Sequence, residues 1–179
     1  MNSQKNKVLI LGIGNDILTD DGIGPRLVTD LRGRDVRPPC LLAGRGVSTS
    51  QIEYKTTTLG GLDILEFIQG YERVIFIDAI KTRGGVPGTV YHFTPADFQE
   101  TLHLSNLHDV SFLEAIELGK RLGFPIPSQM HIIAIEIVED LEFGTEFTPI
   151  LKEKYPDILQ NVRDSVQKFL EEQLVASQV

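Results

Sequence analysis

The sequence predicts an α/β protein, a three-layer α/β/α sandwich with a mostly parallel sheet of about five strands. Three observations carry that expectation. Strand-like and helix-like segments alternate almost throughout the chain. The run Val74-Ile75-Phe76-Ile77-Asp78-Ala79-Ile80 is apolar and β-branched on both faces, as strands inside a parallel sheet are. Polar groups also gather where apolar runs end, at Asn15 to Asp21, at Asp78 and at His108-Asp109. In open α/β sheets that edge is where ligands collect.

In chain order, Lys7 to Gly12 reads as the first strand, ended by the turn residues Gly12-Ile13-Gly14-Asn15. Ile23, Leu27, Val28 and Leu31 recur at helical spacing, with Pro25 tolerated in the first turn. Gly33 to Ser50, with Pro38-Pro39, Gly44 and Gly46, reads as a long exposed connection. Ile52, Tyr54, Thr56 and Thr58 alternate with polar residues, which suits a strand solvated on one face. Leu62, Ile64, Leu65, Phe67 and Ile68 predict a short amphipathic helix stopped at Gly70, before a central strand ending at Asp78. Thr89 to Phe93 is expected as an antiparallel edge strand, Val110 to Gly123 as a helix, Met130 to Val138 as the last strand. The tail reads as a helix burying Ile158, Val162, Val166, Phe169 and Leu174, with Glu171-Glu172 outward.

Composition bounds the function. With 179 residues, 41% of them hydrophobic, the chain is expected to fold as one domain over 1–179, ordered from about 7 to 175. A net charge of -8 and a pI near 5.0, without a basic cluster, argue against nucleic acid as a partner. The single cysteine, Cys40, excludes an internal disulfide and a cysteine-based zinc site, and suits a reducing compartment. The polar start and the short apolar run after it match neither a signal peptide nor a membrane span. A cytoplasmic protein is expected, and, with no evident exposed apolar stripe, a monomer.

Two chemical readings compete. Gly12-Ile13-Gly14 follows a strand and precedes a helix, yet the third glycine of a dinucleotide fingerprint is replaced by Ile17. Asp20 and Asp21 would also repel a pyrophosphate from the helix N-terminus. The other reading is a metal site made by Asp21, Asp78 and His108, all expected at one rim of the sheet. Two carboxylates and an imidazole suit zinc or nickel and leave coordination positions open. Each residue also has an ordinary role open to it. Asp21 can cap the helix near Gly22, Asp78 can form an Asx-type turn, and His108 can precede the helix at Asp109. His92, His103 and His131 read as structural or solvated.

The segments Gly12 to Gly24, Ile77-Asp78-Ala79-Ile80 and Leu107-His108-Asp109 resemble, in sequence and in order, three signatures of the nickel-iron hydrogenase maturation endopeptidases. Pro87-Gly88-Thr89, Ile135-Glu136, Gly144 and Thr148-Pro149 are similar to that family too, so the likeness covers roughly residues 7 to 170. The resemblance implies a protease that removes a C-terminal peptide from the hydrogenase large-subunit precursor once nickel is in place. It assigns Asp21, Asp78 and His108 as metal ligands and catalytic residues, with nickel supplied by the substrate and zinc or another divalent cation standing in for it in vitro. Such a site needs no serine or cysteine nucleophile. One departure stands out: family members carry an acid and glycines before the Thr-x-Gly segment, where this chain has Tyr54-Lys55-Thr56-Thr57. That difference bears on substrate recognition. A non-catalytic metal- or peptide-binding module on the same fold is the alternative.

Overall fold

The computed structural model describes residues 7–34, 36, 52–58, 60–100 and 107–176, with the side chains of 98–113 and 172–176 excepted. The elements are β1 (Val8–Ile13), α1 (Ile23–Arg32), β2 (Ile52–Thr57), a 3-10 turn (Gly61–Asp63) running into α2 (Ile64–Ile68), β3 (Arg73–Ile80), β4 (Val90–Phe93), α3 (Pro95–Glu100), α4 (Leu107–Arg121), β5 (Gln129–Glu136) and α5 (Pro149–Ala176). The sheet order is β2-β1-β3-β5-β4. Its first four strands run parallel and β4 pairs antiparallel with β5. The three-layer, five-stranded, mostly parallel architecture is therefore present, antiparallel edge included.

Alternation along the strands divides the core between the two faces. Val8, Ile10, Ile75, Ile77, Ile133 and Ile135 pack under α1 and α5. Leu9, Leu11, Val74, Phe76 and Ile132 face the other way, against Ile64, Leu65 and Ile68 of α2 and Ile116 of α4. The central strands are buried on both sides, which is why their sequences carry no polar alternation. Each fully buried Leu or Ile contributes about 1.5–3 kcal/mol.

Four boundaries differ from the sequence expectation. β3 continues two residues beyond Asp78, because Ala79 and Ile80 still pair with Ile135 and Glu136 of β5. Asp78 thus projects from inside the strand. α4 begins at Leu107, so His108 lies in its first turn and does not precede the helix. Leu62, expected on an apolar face, belongs to the 3-10 turn and is 57% exposed. Within the predicted long connection, Val36 is buried in the core, while 37–51, Cys40 among them, lie outside the described residues.

Candidate functional site

The carboxyl edge of the sheet is shaped first by close packing at the start of α1. A Cβ on Gly24 would stand 2.4 Å from the Ile13 carbonyl oxygen and 2.5 Å from that of Ile77, so only glycine lets α1 seat across β1 and β3. Gly14, with φ +140°, turns the chain out of β1, and a Cβ there would meet the Asp21 carbonyl oxygen at 2.1 Å. The glycines that suggested a nucleotide fingerprint are packing devices for this loop.

Two successive turns then run from Asn15 to Asp21, closed by Leu18 N–H to Asn15 O (3.0 Å) and Asp21 N–H to Leu18 O (2.8 Å). Within the second of them Thr19 adopts a positive φ of 33°. The consequence is that the adjacent acids part company. Asp20 is fully buried and accepts hydrogen bonds from the amides of Val138 (3.2 Å), Glu139 (3.1 Å) and Thr148 (2.7 Å) and from the Thr148 hydroxyl (2.9 Å). Asp21 turns the other way. Its Oδ2 accepts the Asn15 amide at 2.7 Å, and α1 is capped by Gly22 without a side-chain bond, so the helix-cap role open to Asp21 is not the one it takes.

Asp21 and Asp78 line one cavity of about 270 Å³. Asp78 is half-buried, and its Oδ1 accepts the Ala79 amide at 2.8 Å. Apolar walls come from Ile13, Leu18, Ile64, Phe76, Ile132 and Ile137, and Thr58, Gly60 and Gly61 form part of the lining. Lys81 and Asp140 also line it, 2.8 Å apart, and the Asp140 carboxylate raises the Lys81 pKa. Among the described residues the lining is therefore acidic, and Lys81, the cation among them, is held by a carboxylate of the site.

His108 enters through its helix. α4 packs against the 3-10 turn whose Gly61 lines the cavity, and it returns the chain toward the start of β5. Because α4 ends at Arg121, shortly before β5 starts at Gln129, and packs against the cavity-lining 3-10 turn, its first turn, with the His108 backbone, is directed toward the carboxyl edge. Its side chain is outside the described residues, as are Ser105, Asn106 and His103. Among the described residues no three His, Cys, Asp or Glu side chains gather as a metal site. Two of the three expected ligands thus share a cavity, and the third is placed by its backbone alone.

Several contributors were not foreseen in the sequence. Asp140 follows the end of β5 as Asp78 nears the end of β3, so the edge rule that singled out Asp78 would have found it. Glu136 is buried and receives the Thr82 amide (2.6 Å) and hydroxyl (2.8 Å), fastening the loop after β3. His92 and His131 pair through Nδ1 and Nε2 at 3.2 Å, in keeping with a structural role. Ile17, Leu141 and Phe143 are exposed, and Leu141 lines the cavity. They lie in loops, where no periodicity announces them.

The HycI family model, described as hydrogenase maturation protease, matches residues 58–165, more than half of the chain. The hydrogenase 2 maturation protease of Escherichia coli strain K12 is 26% identical over 160 residues, covering 87% of this chain and 88% of that protein. The hydrogenase expression/formation protein HupD of Rhodobacter capsulatus is 27% identical over 145 residues, which span 80% of this chain but only 63% of HupD. In fold, the hydrogenase maturating endopeptidase HybD from E. coli superimposes with a TM-score of 0.65 at 22% identity, over 90% of this chain and 93% of that one. The [NiFe] hydrogenase maturation protease HybD from Thermococcus kodakarensis follows with 0.59 at 24%, over 89% and 99%. The chain belongs to the hydrogenase maturation protease family, a family of hydrolases.

Proposed function

We propose that this chain is the endopeptidase that removes a C-terminal peptide from the nickel-loaded precursor of a nickel-iron hydrogenase large subunit, and that Asp21, Asp78 and His108 grip the client's nickel. The observation that carries this is the convergence of Asp21, from the loop between β1 and α1, and Asp78, from within β3, on a single acidic cavity at the carboxyl edge of the sheet. Two carboxylates favour a divalent cation, and a cation so placed supplies Lewis-acid charge to the scissile carbonyl or to an attacking water. Water then adds to the carbonyl carbon, the C–N bond breaks, and the leaving amine takes a proton. Among the described residues no serine or cysteine lines the cavity, in keeping with water as nucleophile.

The nickel is the client's cargo, with zinc or another divalent ion able to stand in for it in vitro. The enzyme works as a monomer in the cytoplasm, where an acidic chain with a single cysteine is at home. Among the described residues no helix is long and apolar enough to cross a membrane. The Tyr54–Thr57 departure leads directly into the cavity-lining Thr58 and bears on which client is recognised; the second reading is a binding module on the same fold that holds metal or peptide without cutting.

Incubation with nickel-loaded and nickel-free precursor, read by intact mass, separates the two. Loss of a C-terminal peptide from the loaded precursor supports the protease. Binding without loss of mass supports the module.

A further inference from the structure

Leu141, Phe143 and Ile17 are 78%, 83% and 52% exposed, and the bridge between Leu18 and Gly144 brings the two loops that carry them side by side, next to the cavity-lining Leu18 and Leu141. Leu141 lines the cavity itself, and the Gly144 amide donates to the Ile17 carbonyl at 3.0 Å. Large apolar side chains grouped beside a site mark a surface that another molecule covers.

These side chains are carried on a fixed frame. One carboxylate oxygen of Glu139 accepts the amides of Leu141 (2.7 Å) and Glu142 (3.0 Å), and the Thr19 hydroxyl donates to the Glu142 carbonyl at 2.7 Å. The Thr19 amide donates to the Gly144 carbonyl at 2.9 Å, and buried Asp20 anchors Val138 and Glu139 behind them. A preorganised apolar lip loses little entropy when a partner arrives. Charge says what that partner is. Through Leu141 the lip joins a floor carrying Asp21, Asp78 and Asp140, and among the described residues the lining cation, Lys81, is already held by Asp140. A second copy of this chain, with a net charge of -8, would bring like charge to an acidic mouth.

We propose that Ile17, Leu141 and Phe143 form a docking lip for an extended stretch of the client polypeptide, whose apolar side chains cover the lip while its cationic centre faces Asp21 and Asp78. This rests on the maturation-protease reading and adds the surface that selects the client.

The test is steady-state cleavage of nickel-loaded precursor by the wild type, by the Leu141→Ser/Phe143→Ser double variant and by Leu122→Ser. Leu122 is 61% exposed just past the C-terminal end of α4, so it controls for loss of any surface apolar group. The lip predicts a KM raised about tenfold or more in the double variant, with kcat within about twofold and an unchanged melting temperature. An unchanged KM overturns it, as does an equal rise in Leu122→Ser. So does sedimentation showing a wild-type dimer that the double variant disperses. If the wild type cuts nothing, the protease reading fails first. Equilibrium binding of the same precursor then decides the lip: affinity lost in the double variant supports it, and affinity retained overturns it.

Discussion

Asp20 and Thr148, 128 residues apart in sequence, are bound to each other twice: Oδ1 of Asp20 accepts the Thr148 amide at 2.7 Å and Oδ2 accepts its hydroxyl at 2.9 Å. Because the same Oδ2 also takes the amides of Val138 and Glu139, one buried carboxylate ties the loop after β1 to the segment between β5 and α5. That segment supplies Ile137, Asp140 and Leu141 to the cavity.

Asp20→Ala leaves three amides and a hydroxyl without their acceptor in a buried place. The expected loss of stability is about 3 kcal/mol or more, read from urea denaturation. Asp20→Asn, which keeps an acceptor oxygen, should lose less.

Gly24→Ala forces a methyl between two backbone oxygens, those of Ile13 and Ile77, which belong to the sheet and cannot swing aside. A cost of about 3 kcal/mol is expected in the same denaturation measurement, with cleavage lost as α1 shifts away from β1 and β3. Gly60→Ala, with open space around its Cβ position, should leave stability within about 0.5 kcal/mol.

His92 supplies a pH dependence. Desolvation of its ring, and then the charge of Lys168, hold its pKa below the ordinary 6.5. His131 and the Ser165 hydroxyl face its two nitrogens, at 3.2 and 3.3 Å. The folded state therefore binds this proton less readily than the unfolded chain does. Its contribution is complete above about pH 6.5 and is lost as the pH falls through the lowered value. The urea midpoint of the wild type should fall more between pH 8 and pH 5.5 than that of His92→Gln, and equal falls would remove His92 from the account.

Much of this was legible in the sequence, for reasons that particular residues make clear. β1, β3 and β5 declare themselves because parallel strands buried on both faces need unbroken apolar runs, and α1 declares itself through Ile23, Leu27, Val28 and Leu31. Asp21 and Asp78 could be singled out because acids at the ends of such runs are costly without a purpose. What stayed hidden depends on contacts between distant segments. Nothing local shows that Asp20 points into the core and Asp21 into the cavity, since the separation follows from the turn at Thr19 and the amides of Val138, Glu139 and Thr148. Nor does the sequence reveal that Leu141 and Phe143 remain exposed, because a loop has no period against which to read them. The last strand residues of β3 were cut short because an acid inside a strand is disfavoured, yet pairing with Ile135 and Glu136 overrides that preference.

Asp21, Asp78 and His108 are claimed to act as one site on the client's nickel, and single-turnover cleavage of nickel-loaded precursor by Asp21→Ala, Asp78→Ala, His108→Ala and their double variants tests this most directly. The account predicts that each single variant loses at least about a hundredfold in rate while keeping its melting temperature, that the doubles are little worse than the singles, and that nickel-free precursor stays intact. Cleavage of nickel-free precursor at the wild-type rate, or a His108→Ala enzyme that cuts as fast as the wild type, would contradict it.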